Sequence, residues 1–334
     1  MRPTLRAALA LALPLALAGR SAADGPRFPI LTDAEAWAAM PRAEAGGGGP
    51  LPTWARTTAR PLPRTTAAML DLDRLHRTKS PLGPSLRGKM RWVAADANRC
   101  EYARATAEAD LRRAGVGDAE IAALKGGYER WPVTERPALQ FAREMTLDAG
   151  KVTDPEVAEV RQLYGDSKLV AMVLLLAAAN FQDRLLLTLG VPLEEGGPMP
   201  PLEVRWDKDA IPPVPGRLPP VELAGPPAPS RVDDPLWAAT PFEALKRNME
   251  AQKANEGRVR VPTFEEMLKG LPADYPPPRS PTRIKWSLVC MGYQPELAIA
   301  WSACTGRFGQ EAKQDRVFEE SLFWVVTRTI SCFY

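Results

Sequence analysis

The chain has 334 residues, with 43 Lys plus Arg against 40 Asp plus Glu, one His, 35 Pro and four Cys. Its 45% apolar and 25% charged residues are globular values, which excludes disorder throughout. Four Cys in this length exclude a disulfide-dense small scaffold, and the lone His76 excludes any site needing two His; no metal and no cofactor is expected.

The formal charge of +3 invites a nucleic-acid reading, and the N-terminus answers it. Arg2 and Arg6 precede the apolar run Ala7–Ala18, and small residues follow up to Ala23. This is the pattern of a secretory signal over residues 1–23. The apolar run is too short for a bilayer span, which needs about 20 residues. Cleavage after Ala23 removes Arg2, Arg6 and Arg20 and no acid, so basic and acidic residues then balance. The expectation is an exported protein, periplasmic or extracellular, with no nucleic-acid partner and no membrane span.

Residues 24–50 read as a lead-in, with a helix over Asp33–Ala39 and a flexible tether at Gly46–Gly49. Helical periodicity then predicts Thr65–Arg77, Ser85–Ala95, Arg99–Ala114, Asp118–Lys125, Thr134–Ala149, Asp154–Tyr164 and Ser167–Leu189. Gly165 stands between the last two. Thr134 and Thr153 sit where helix N-caps belong, the second with Glu156 completing a capping box. The apolar run Leu169–Ala179 reads as a helix buried on all sides. No stretch alternates long enough to argue a sheet, so residues 51–190 read as an all-α unit. Residues 191–235 hold thirteen prolines and read as a semi-rigid linker laid over the surface. A second helical region, 236–334, follows with helices over Phe242–Glu256, Thr263–Lys269, Arg283–Cys290, Pro295–Phe308 and Gln314–Ile330.

The two regions are related. Trp92, Val93, Cys100 and Tyr102 recur as Trp324, Val325, Cys332 and Tyr334, at a constant offset of 232. Pro63 and Pro295 share that offset. The second copy stops at Tyr334, inside the repeated segment, so the chain is expected to be a fragment of a longer product. Cys100 reads as a first-turn residue, with Asn98 as N-cap; free N–H groups there favour thiolate. Cys290 and Cys304 have no thiol counterpart in the first copy and read as structural, a disulfide between them being left open. His76 reads as a partner of a helix C-terminus, with a proton relay as the alternative.

These residues resemble the carboxymuconolactone decarboxylase / alkylhydroperoxidase D (AhpD-like) family. The likeness extends to Asn180-Phe181 with Arg184, and to the exit Leu189–Leu193. It implies an AhpD-like helical bundle, here one complete unit and a truncated second, forming a homo-oligomer or an intrachain pseudo-dimer. The motif it implies is a Glu, eleven residues, Cys-x-x-Cys, three residues and a His. In the peroxidase branch the two thiols cycle with a disulfide while Glu and His relay protons.

In the first unit Cys100 matches the first cysteine, but Ala103, Ala107 and Gly88 stand at the second-cysteine, His and Glu positions. That unit reads as a degenerate, structural partner. In the second, Glu320 and Cys332 have the motif spacing. On one straight helix they would lie about 18 Å apart, so the helix must end near Thr329–Ser331 and the chain turn back. The expected catalytic residues are therefore Cys332 and Glu320, with Cys100 the degenerate counterpart. The expected partner is a small-molecule peroxide or a disulfide/thiol redox protein. A catalytically degenerate scaffold or binding protein, and a decarboxylase-type lyase, stay open as alternatives.

Overall fold

The structure is a computed structural model and describes residues 27–207, 241–253, 257–276, 281–282, 284–312 and 315–329. The signal segment 1–23, residues 208–235 of the Pro-rich segment, and Cys332 lie outside the described residues. The fold is all-α, as the helical periodicity predicts. The first unit runs α1 (Asp33–Ala39), α2 (Thr53–Thr58), α3 (Pro63–Thr78), α4 (Pro84–Ala97), α5 (Glu101–Arg113), α6 (Asp118–Ala123), α7 (Arg136–Asp148) and α8 (Asp154–Leu189).

Helix α4 is the centre of this unit. Helices α5, α7 and α8 all pack on it. Met90, Trp92 and Val93 are buried against Leu111, Leu139, Met172 and Leu176. Helix α8 is long and apolar enough to cross a membrane, with a mean hydropathy of 1.6 over an 18-residue stretch. Its apolar stretch, Leu169–Leu176, lies largely in the bundle core, where burial accounts for it. The two helices expected around Gly165 form one element with a break there: Gly165 has φ 76° and ψ 167°, a conformation a side chain would strain. The Thr153–Glu156 capping box forms, but Thr134 does not cap α7, whose N-cap position is Glu135.

The lead-in differs from the tether the glycines suggest. Leu31, Ala36 and Met40 join the buried cluster of Trp54 and Leu72. The Trp37 indole N–H donates to the Gly49 carbonyl at 2.7 Å. A Cβ on Gly46 would sit 1.9 Å from the Glu203 carbonyl oxygen. Here glycine permits close backbone approach. That approach carries a short ladder, β1 (Ala43–Ala45) antiparallel to β2 (Arg205–Trp206), too brief for any period of two to be read. Residues 191–207 lie over the first unit, as their proline content suggests. The Glu194 carboxylate accepts from the Thr53 N–H and the Tyr102 hydroxyl, and the carbonyls of Pro198 and Met199 accept from Arg113 and Arg77.

The second region contributes α9 (Phe242–Lys253), α10 (Phe264–Gly270), α11 (Lys285–Tyr293), α12 (Pro295–Glu311) and α13 (Arg316–Thr329). Helices α11, α12 and α13 open 232 residues after α2, α3 and α4. The sequence repeat is thus a repeat of three helices, which adds Trp54 and Trp286 to the matching pairs. The equivalent helices α3 and α12 pack on each other, antiparallel. At one end Glu311 of α12 accepts from the N–H groups of Arg64 and Thr65, both at 2.8 Å, and from the Thr65 hydroxyl at 2.6 Å. At the other end Leu75 and Leu297 share a cluster. Cys304 is buried in the same cluster as Leu72, its counterpart. Trp92 is fully buried, whereas its counterpart Trp324 on α13 is 45% exposed.

Leu62, at the N-cap of α3, has no side chain able to accept these amide protons, so Glu311 caps α3 from the other repeat. Glu311→Ala should cost about 1–2 kcal/mol in urea unfolding. An unchanged midpoint would contradict this role.

Candidate functional site

Helices α3, α4, α5 and α8, with Trp54 and residues 199–202, line a partly open cavity of about 70 Å³. Ala103 and Ala107, one helical turn apart on α5, line it. These are the motif positions of the second cysteine and the His, and their short side chains leave the space. Gly88 fares differently: a Cβ there would lie 2.7 Å from Leu111 Cδ2. Helices α4 and α5 run antiparallel, with Cys100 N–H bonded to the Ala95 carbonyl at the turn and the Trp92 indole reaching Glu108 at 3.0 Å. This hairpin sets position 88 near position 111, one turn beyond position 107.

Charged side chains make the polar wall. Asp110 accepts from Arg77 at 2.8 and 2.9 Å, from Arg87 at 3.0 Å and from Arg113 at 2.6 Å. Burial pushes the Asp110 carboxyl up, but Arg77 and Arg87 outweigh it and hold it below the usual carboxylate range. Arg91 binds Asp183, and Asn98 donates to the same carboxylate at 3.0 Å. Removing one partner of this buried pair would cost about 3–5 kcal/mol.

His76 faces this wall from α3. It is buried, and its Nδ1 has no hydrogen-bond partner. Burial first, then the charges of Arg87 and Arg91, push it down to about 3. The imidazole is therefore neutral, which corrects the expected role as a cationic partner of a helix terminus. The Arg87 Nε–H is likewise buried without a partner.

Cys100 also departs from expectation. It is the N-cap residue of α5 itself, following Arg99 at φ 58°, while Asn98 closes α4. Burial and the neighbouring Asp183 carboxylate push its thiol up to about 11, outweighing the Ala103 N–H and Arg91. Loss of water at the helix start wins over the helix dipole, so the expected thiolate does not form. Cys290 is pushed to about 11 and Cys304 to about 12, chiefly by burial, and neither is in a disulfide. Glu320 lies on α13, whose described residues include no buried one; its side chain is 70% exposed and 4.0 Å from Arg316. Its motif partner Cys332 is outside the described residues.

A wider cleft of about 620 Å³ is lined by α3, α12 and residues 272–276, with Asp71, Arg74, Glu296 and Arg307 among its walls. Burial pushes Asp71 up to about 6, against the pull of Arg74. Sequence reading passed over Arg87, Arg91 and Asp183. Their signal was two arginines four residues apart on a helix that also carries Met90 and Trp92. Compared with known proteins, the chain matches no family model and no curated relative.

His76 titrates at 6.5 when solvated and near 3 in the fold. Between those values the unfolded chain holds the extra proton, so stability is full above pH 6.5 and falls as pH drops toward 3. The loss is on the order of a few kcal/mol. Unfolding free energies measured from pH 7 to pH 4 should fall more steeply for the native chain than for His76→Leu. Parallel curves would contradict the buried neutral imidazole.

Proposed function

We propose that the chain is an AhpD-like two-unit protein of the carboxymuconolactone decarboxylase family. Its thiol-dependent peroxidase or disulfide-exchange chemistry belongs to the second unit, at Cys332 with Glu320. The first unit is a redox-silent partner, and the two units form an intrachain pseudo-dimer through α3 and α12. One observation carries this reading: three helices recur at an offset of 232, and Glu320 and Cys332 fall at the positions of Gly88 and Cys100. The α4–α5 hairpin supports it further, because it sets the Glu position beside the end of the helix that carries the His position.

In this chemistry the Cys332 thiolate attacks the outer oxygen of a hydroperoxide. An S–O bond forms, the O–O bond breaks, and the departing alkoxide takes a proton relayed by Glu320. The sulfenic acid is then attacked by the thiol of a redox partner, which releases water and leaves a mixed disulfide. A scaffold reading draws on the three described cysteines, all pushed above their ordinary range.

Peroxide treatment of the intact protein, followed by alkylation and peptide mass mapping, separates the two. Cys332 should lose its free thiol while Cys100, Cys290 and Cys304 keep theirs. Cys332→Ser should abolish peroxide consumption and Cys100→Ala should retain it. No change at any thiol would favour the scaffold.

A further inference from the structure

We infer that the first unit binds a small carboxylate, of formate or acetate size, in the cavity between α3, α4, α5 and α8. Two buried groups lining that cavity ask for a ligand. The Arg87 Nε–H and His76 Nδ1 have no partner in the protein, and both side chains are more than nine-tenths buried. Leaving such groups unsatisfied costs about 1–3 kcal/mol each. A carboxylate offers two acceptor oxygens, one for the Arg87 Nε–H and one for His76 with its proton on Nδ1.

Size and charge narrow the choice. The cavity is about 70 Å³. A void of about 150 Å³ admits benzene, so this one suits three or four heavy atoms. Its polar wall presents Arg77, Arg87 and Arg91 against Asp73 and Asp110, with Asp183 behind Arg91. The unpartnered Arg87 Nε–H asks for an acceptor, and the charges of Arg87 and Arg91 oppose a cation beside His76, so an anion suits the site. Met69 and Leu175 supply an apolar side that suits a methyl group. This site is independent of Cys332 and Glu320, and its failure would leave the thiol proposal standing.

The test is a titration of the intact protein with [¹³C]acetate and [¹³C]formate, with chloride at equal ionic strength as control. Saturable binding is expected, with a rise in melting temperature that chloride does not give. Because His76 is the one His in the chain, its ring signals need no assignment, and the acetate methyl should show nuclear Overhauser contacts to them. His76→Leu and Ala107→Leu, the second filling the cavity with both polar groups intact, should each weaken binding at least tenfold. An equal shift in chloride, no contact to the His76 ring, or no saturable binding would overturn the proposal; the last would mean a cavity that holds water only. Unchanged affinity in both variants would overturn it too.

Discussion

The structure turns on one cross-repeat contact, the antiparallel packing of α3 on α12 closed by Glu311. Helix α3 begins with Pro63, which leaves the Arg64 and Thr65 amides as the first donors without a partner in their own helix. An apolar N-cap residue, Leu62, cannot help them. A carboxylate from the other repeat does, and it adds a negative charge where the helix dipole favours one. With α3 held on one side by α12, its other side is free to build the first unit. Met69, His76 and Arg77 all come from this helix and reach the cavity.

Buried charge then shapes what the first unit is able to do. Three arginines enter a wall between helices, and each is held by a carboxylate. Burial, then Arg87 and Arg91, keeps His76 neutral, and burial with the Asp183 that serves Arg91 opposes a thiolate at Cys100. Alanines at positions 103 and 107 leave a void in place of reactive groups. On our reading, the first unit serves polar recognition and the second thiol chemistry.

The helices were legible from the sequence because their signals are local: periodic apolar residues, Pro63 and Pro295 at helix starts, Gly165 at a break. The repeat was legible from Trp92 and Trp324, and the helix boundaries extend it to Trp54 and Trp286. What was not legible depends on contacts distant in sequence. Gly46 looks like freedom until Glu203 arrives beside it, and α2 is too short to show a period. Cys100 looks activated if only its helix is considered. Its surroundings come from α4 and α8, and they reverse the sign. The same holds for His76, whose neighbours Arg87 and Arg91 lie on the next helix.

The central claim is that two related units meet through the equivalent helices α3 and α12, with Leu72 and Cys304 buried in one cluster between them. The most direct measurement is disulfide trapping with Leu72→Cys. Under mild oxidation the variant should form an intrachain bond to Cys304, seen as one linked peptide pair in a monomeric chain. Bonding to Cys100 instead, or links formed only between chains, would contradict the pairing of α3 with α12.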